Sequence, residues 1–173
     1  PFNAAQARAY QEAWAKHLGV PVEHSNSIGM KFVLIPPGEF MMGSTPEEIE
    51  AALVIVGGDE GWKNFISSEA PQHKVKVAPF WMGMCEVSWN EFELFMYPDD
   101  EKRLREETGA AGYTDKLSDA VTRPSKPYTE MSFGMGKDGF PAISMTQHGA
   151  NKFCHWLSAK TGHFYRLPTE AEW

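Results

Sequence analysis

The sequence predicts a mixed α+β fold, and three observations carry that reading. Helix-opening signals recur along the chain, in Asn3 before an aromatic 4-residue repeat, in Thr45-Pro46-Glu47-Glu48 and in Ser88-Trp89-Asn90-Glu91. Between them lie short β-prone runs, Lys31 to Ile35, Glu39 to Met42, His73 to Val77 and Phe80 to Met84. A chain of 173 residues with 42% hydrophobic residues suffices for one core and is short for two comfortable domains, so the expectation is one domain or part of one.

In chain order, Asn3 is placed to cap a helix over 4–18, with Tyr10, Trp14 and Leu18 on one face and Gly19 and Pro21 as the stop. That stripe is expected to dock the helix on the domain. Two β-prone runs around Pro36-Pro37-Gly38 predict a hairpin. Thr45, with Pro46 at the first helical position and Glu48 reaching back, opens a helix to about residue 56 that turns Ile49, Leu53 and Val56 inward. Strands at 73–77 and 80–84 follow, separated by Ala78-Pro79. A second capping box at Ser88 and Glu91 opens a helix through Phe92, Phe95 and Met96 that Pro98 halts. Residues 99–140 read as an insertion or long ordered loop. Pro141 to Met145 then predicts a short strand, and Thr146 caps a helix with Ala150, Phe153, Cys154 and Leu157 inward and Gly162 at its end. In Arg166-Leu-Pro-Thr-Glu-Ala-Glu-Trp173, Thr169 and Glu172 repeat the capping-box spacing. A helix announced so close to Trp173 leads us to expect that the chain is the front part of a larger folding unit.

Composition narrows the function. With 16 Lys and Arg against 23 Asp and Glu, the net charge of -7 opposes a polyphosphate partner, so nucleic acid is not expected. No apolar run approaches the about 20 residues of a bilayer-spanning helix, so no membrane span is expected. Two cysteines, Cys85 and Cys154, are too few for a disulfide scaffold or a four-cysteine zinc ribbon. The six histidines form no His-x-His or His-Glu-x-x-His cluster, and His148 and His155 stand about 10 Å apart along their helix, too far to share an ion directly. No metal site is therefore expected. Phe133 to Gly139 lacks the spacer and the Ser or Thr of a phosphate loop and reads as turn glycines. No local pattern marks a nucleophile, so no catalytic residue is assigned.

Four segments resemble the formylglycine-generating enzyme (sulfatase-modifying factor) family: Asn26 to Gly43, Glu69 to Val75, Glu86 to Phe92, and above all Arg166 to Trp173. The structural signature is Arg166, Thr169, Glu170, Glu172 and Trp173. The resemblance implies a variant C-type-lectin-like fold with limited regular secondary structure. It divides the chain into a helix and linker at 1–25 and the N-terminal part of the family domain at 26–173, with the insertion at about 99–140. It implies copper-dependent oxidation of a cysteine in a sulfatase's Cys-x-Pro-x-Arg motif to Cα-formylglycine, with molecular oxygen. The family's two copper-holding cysteines and its calcium ligands lie in its C-terminal half, and no residue here matches them, so copper and calcium are expected outside this chain. Cys154 resembles a helix cysteine that some relatives place in a structural disulfide.

The readings that follow are a formylglycine-generating oxidase, a non-catalytic lectin-like binding or scaffold module, and, last, a sulfoxide synthase of the ergothioneine type, which would need a His-x-x-x-His pattern that this sequence lacks. A cysteine pair after Trp173 would favour the first. The implied partners are a complementary second half or chain and a sulfatase or other protein substrate, in an exported or cell-envelope location. Arg166 is further expected to brace Glu170 or Glu172 as a buried pair.

Overall fold

The computed structural model of the protein describes residues 3–57, 59–99, 106–107, 118, 120–123 and 131–173. Their elements, in order, are α1 (Ala4–Leu18), β1 (Glu23–Ser25), β2 (Lys31–Ile35), β3 (Gly38–Met42), α2 (Pro46–Ile55), α3 (Glu60–Ser67), β4 (His73–Val77), β5 (Phe80–Gly83), α4 (Trp89–Met96) and α5 (Gln147–Thr161). Helices and two small sheets are both present, so the fold is α+β as the sequence predicts. The chain divides into two units, Pro1–Leu34 with Trp81–Pro168, and Ile35–Phe80 with Thr169–Trp173.

The first unit holds a three-stranded sheet in the order β1-β2-β5. β1 and β2 form an antiparallel hairpin in which His24 lies opposite Phe32. Its loop is tied by Asn26, whose Oδ1 accepts from the amides of Ile28 at 3.1 Å and Met30 at 3.0 Å. Along β2, alternation buries Phe32 and Leu34. Against this side pack α4 and α5: Phe92, Phe95, Phe153 and Trp156 form an aromatic cluster with centroids 5.6–6.1 Å apart. Ring pairs at such spacing contribute about 0.5–1.5 kcal/mol each beyond area burial. The capping box of α4 forms as read, with Ser88 N donating to Glu91 at 2.7 Å and Glu91 N to Ser88 Oγ at 3.3 Å. At its other end, Arg123 Nη1 donates to the carbonyls of Leu94 and Phe95 at 3.3 and 2.7 Å, satisfying groups the helix leaves open. α1 begins at Asn3 and ends at the left-handed Gly19.

The second unit pairs β3 with β4 antiparallel, Gly38 opposite Val77 through Met42 opposite His73. α2 carries the expected Thr45–Glu48 capping box, and α3 opens at Asp59, whose carboxylate accepts from Trp62 N at 3.0 Å. Ile66 is its buried hydrophobic residue among those described.

Several expectations change. Lys31–Ile35 and Gly38–Met42 are strands, yet they belong to different sheets and make no hairpin. Pro36 and Pro37 fix φ near −65° and carry no N–H, so they keep the chain extended where a tight turn needs positive φ. Pro141 to Met145 forms no strand: Pro141 makes one isolated bridge with Ser88, and Ser144 sits at φ 65°. On α1, Tyr10 and Leu18 are exposed and Ala15 is the buried residue, so the docking face runs one position off the aromatic stripe. Most of the expected insertion at 99–140 lies outside the described residues. Its final part, 131–140, is a turn region anchored to α4 by Lys137 Nζ to Glu93 at 2.7 Å and Gly139 N to Asn90 at 2.8 Å.

Candidate functional site

The first unit contains a cleft of about 240 Å³ lined by His24, Ser25, Asn26, Ser27, Thr161 and His163. Two rigid elements build it. His24 is the middle residue of β1, held by pairing to β2, and its ring meets the edge of Trp81 at a centroid distance of 5.9 Å. His163 follows Gly162, the left-handed residue that ends α5, and its backbone N–H donates to Thr161 Oγ1 at 3.3 Å. The Thr161 hydroxyl itself donates to Leu157 O at 2.9 Å, so it is spent inside the helix. The two imidazole centroids stand 6.0 Å apart with planes inclined at 56°. Asn26 uses Oδ1 on its own loop, and its buried Nδ2 has no hydrogen-bond partner. Among the described residues the lining thus offers two imidazoles and two hydroxyls on exposed serines, and no carboxylate.

The signature segment is surface structure. Arg166 is exposed and donates from Nη1 to Leu167 O at 3.0 Å, so the cost attached to breaking a buried pair does not apply to it. Thr169 and Glu172 do meet: Thr169 N and Oγ1 donate to Glu172 Oε2 at 2.9 and 3.1 Å, the side-chain half of a capping box. The amides of Glu172 and Trp173 both return to Thr169 O at 3.1 Å, giving one turn. Glu170 and Trp173 are exposed, the latter at 83%.

Cys85 is exposed and Cys154 is buried, and both are free thiols. Burial pushes the Cys154 thiol up, partly countered by a backbone hydrogen bond. The copper that the resemblance implies needs thiolates, and a protonated, buried thiol on the core face of α5 is a poor ligand. No group of three or more His, Cys, Asp and Glu that could hold a metal is found among the described residues. Cys154 therefore does not fit the family's copper centre. No described helix is long and apolar enough to cross a membrane.

Sequence reasoning missed the His24–His163 pairing altogether. The two residues are 139 positions apart, and no spacing rule joins a strand centre to a helix C-cap.

No curated protein matches the chain. Among solved structures, PvdO from Pseudomonas aeruginosa is 24% identical over 87% of this chain, with a TM-score of 0.48. The match covers 48% of PvdO, so this chain spans about half the length of that protein. The family model for the sulfatase-modifying factor enzyme 1-like domain matches residues 19–173, and with nearly the whole chain inside it, the chain belongs to the formylglycine-generating sulfatase-modifying factor family.

Proposed function

We propose that this chain is part of a formylglycine-generating-enzyme-like protein that converts a cysteine of a sulfatase-type Cys-x-Pro-x-Arg segment into Cα-formylglycine in a copper-dependent oxidation. The observation supporting this is the family match over residues 19–173. In the reaction, a –CH₂–SH side chain and O₂, with two electrons and two protons from a thiol reductant, become –CHO, hydrogen sulfide and water. Cys154 is held as a protonated thiol inside α5, and the resemblance implies that the copper-holding cysteines lie in the family's C-terminal half, so no step is assigned to residues of this chain. This chain's contribution is the scaffold, of the lectin-like kind the family implies, around the core of α4, α5 and β2. An exported or cell-envelope location belongs to the same reading.

The test is aldehyde formation. The full-length protein is incubated with a Cys-x-Pro-x-Arg peptide, copper, a thiol reductant and oxygen, and the product is captured with a hydrazide and identified by mass. A hydrazone at the peptide cysteine is expected. A peptide recovered unchanged overturns the oxidase reading and leaves the non-catalytic binding module in its place.

A further inference from the structure

We propose that His24 and His163 together bind one late first-row divalent cation, of the copper(II) or zinc(II) class, in the cleft they line, independently of any thiolate copper centre. A metal–nitrogen bond of about 2.0–2.1 Å puts an ion roughly 3.2 Å from each ring centre, so two imidazoles sharing one ion stand about 4.5 to 6.4 Å apart for bond angles between about 90° and 180°. The observed 6.0 Å falls inside that window, towards its open end. A tetrahedral angle corresponds to about 5.2 Å, which the exposed His163 ring reaches by side-chain rotation while the His24 ring stays against Trp81.

The chemistry of the lining selects the ion. Calcium and magnesium take sets of oxygen ligands, commonly carboxylates, and the described residues of the cleft supply none. Imidazole nitrogen favours copper, zinc and nickel. Neither ring has a nitrogen occupied by a hydrogen bond among the described residues, so both are available as ligands. Water and the Ser25 or Ser27 hydroxyls complete the coordination. Both histidines are anchored at the backbone, one on a paired strand and one just past a helix end, so completing the site takes only rotation of the His163 side chain. Among the described residues no ring-donated second-shell hydrogen bond strengthens the ligands, which places the affinity below that of dedicated structural zinc sites.

Copper(II) alone is titrated into the full chain and followed by electron paramagnetic resonance, with zinc(II) competition and calcium(II) as the control. One ion per chain, with splitting from two imidazole nitrogens, is expected. Each of His24→Gln and His163→Gln should weaken binding by roughly tenfold or more and leave a single coupled nitrogen, whereas His148→Gln should change nothing. In the unsubstituted chain, zinc(II) should shift the imidazole proton resonances of His24 and His163 together, a measurement that needs no variant to fold. Copper binding that survives both substitutions, or zinc(II) that leaves either resonance in place, overturns the proposal.

Discussion

At Gly43 the backbone has φ +88°, and a Cβ there would lie 2.5 Å from Glu69 O and 3.2 Å from Pro71 O. Gly19 has a similar φ of +70° with nothing within 4 Å of the same position. The pair separates conformational cost from collision. Gly19→Ala should destabilise by about 1–2 kcal/mol, the left-handed penalty alone, and Gly43→Ala by clearly more, because two backbone oxygens must move. Denaturant melts of the two variants decide it, and equal losses would refute the steric account. The thiols make a second residue-level contrast. Exposed Cys85 should react promptly with a thiol reagent, and buried Cys154 only as the protein unfolds. Since burial raises the folded Cys154 above its ordinary value of 9.0, its contribution is intact below pH 9, where both states are protonated. Above pH 9 the unfolded chain ionises first, so stability should fall as pH rises towards the folded value. Melts between pH 8 and 10 should show that fall reduced in Cys154→Ala.

Helix ends were the most legible feature of this sequence, because a cap is written in four consecutive residues and judged by local geometry. Thr45 with Glu48, Ser88 with Glu91, Thr146, Gly19 and Gly162 all occupy the places that their residue types foretell. Ser88→Ala should accordingly cost about 1 kcal/mol, read as a lowered melting midpoint with an unchanged fold; no change would mean that the Pro141 bridge alone fixes that end. Strand partners were not legible. Phe40 pairs with Val75 across α2 and α3, and nothing in either run names the other. α3 is not legible in the sequence because Gly61 interrupts an otherwise short helix, although Asp59 stands as its cap. The inward face of α1 departs from the aromatic stripe because Trp14 is only half-buried and small Ala15 does the packing, a choice made by the surface it meets.

For the molecule as a whole, buried apolar residues are unevenly distributed. The first unit contains the aromatic cluster of α4 and α5, and the second has Ile66 as its buried hydrophobic residue among those described. Local stability follows buried contact, so amides of β3 and β4 should exchange with deuterium faster than those of α4 and α5. Equal protection would mean that the second unit is stabilised by something other than its own packing. The family was readable from scattered segments, whereas the two-histidine cleft was not, since it exists only once a strand and a helix end have folded together. The chain leaves the first unit at Leu34 in β2 and re-enters it at Trp81 in β5, the neighbouring strand of the same sheet. Adjacent strands lie about 4.8 Å apart, so exit and return are close enough to be joined by a short graft. Residues 35–80 are thus a detachable excursion: replacing them with a few glycines and serines should preserve the near-ultraviolet signature of the aromatic cluster, and its loss would show that the excursion is structurally indispensable.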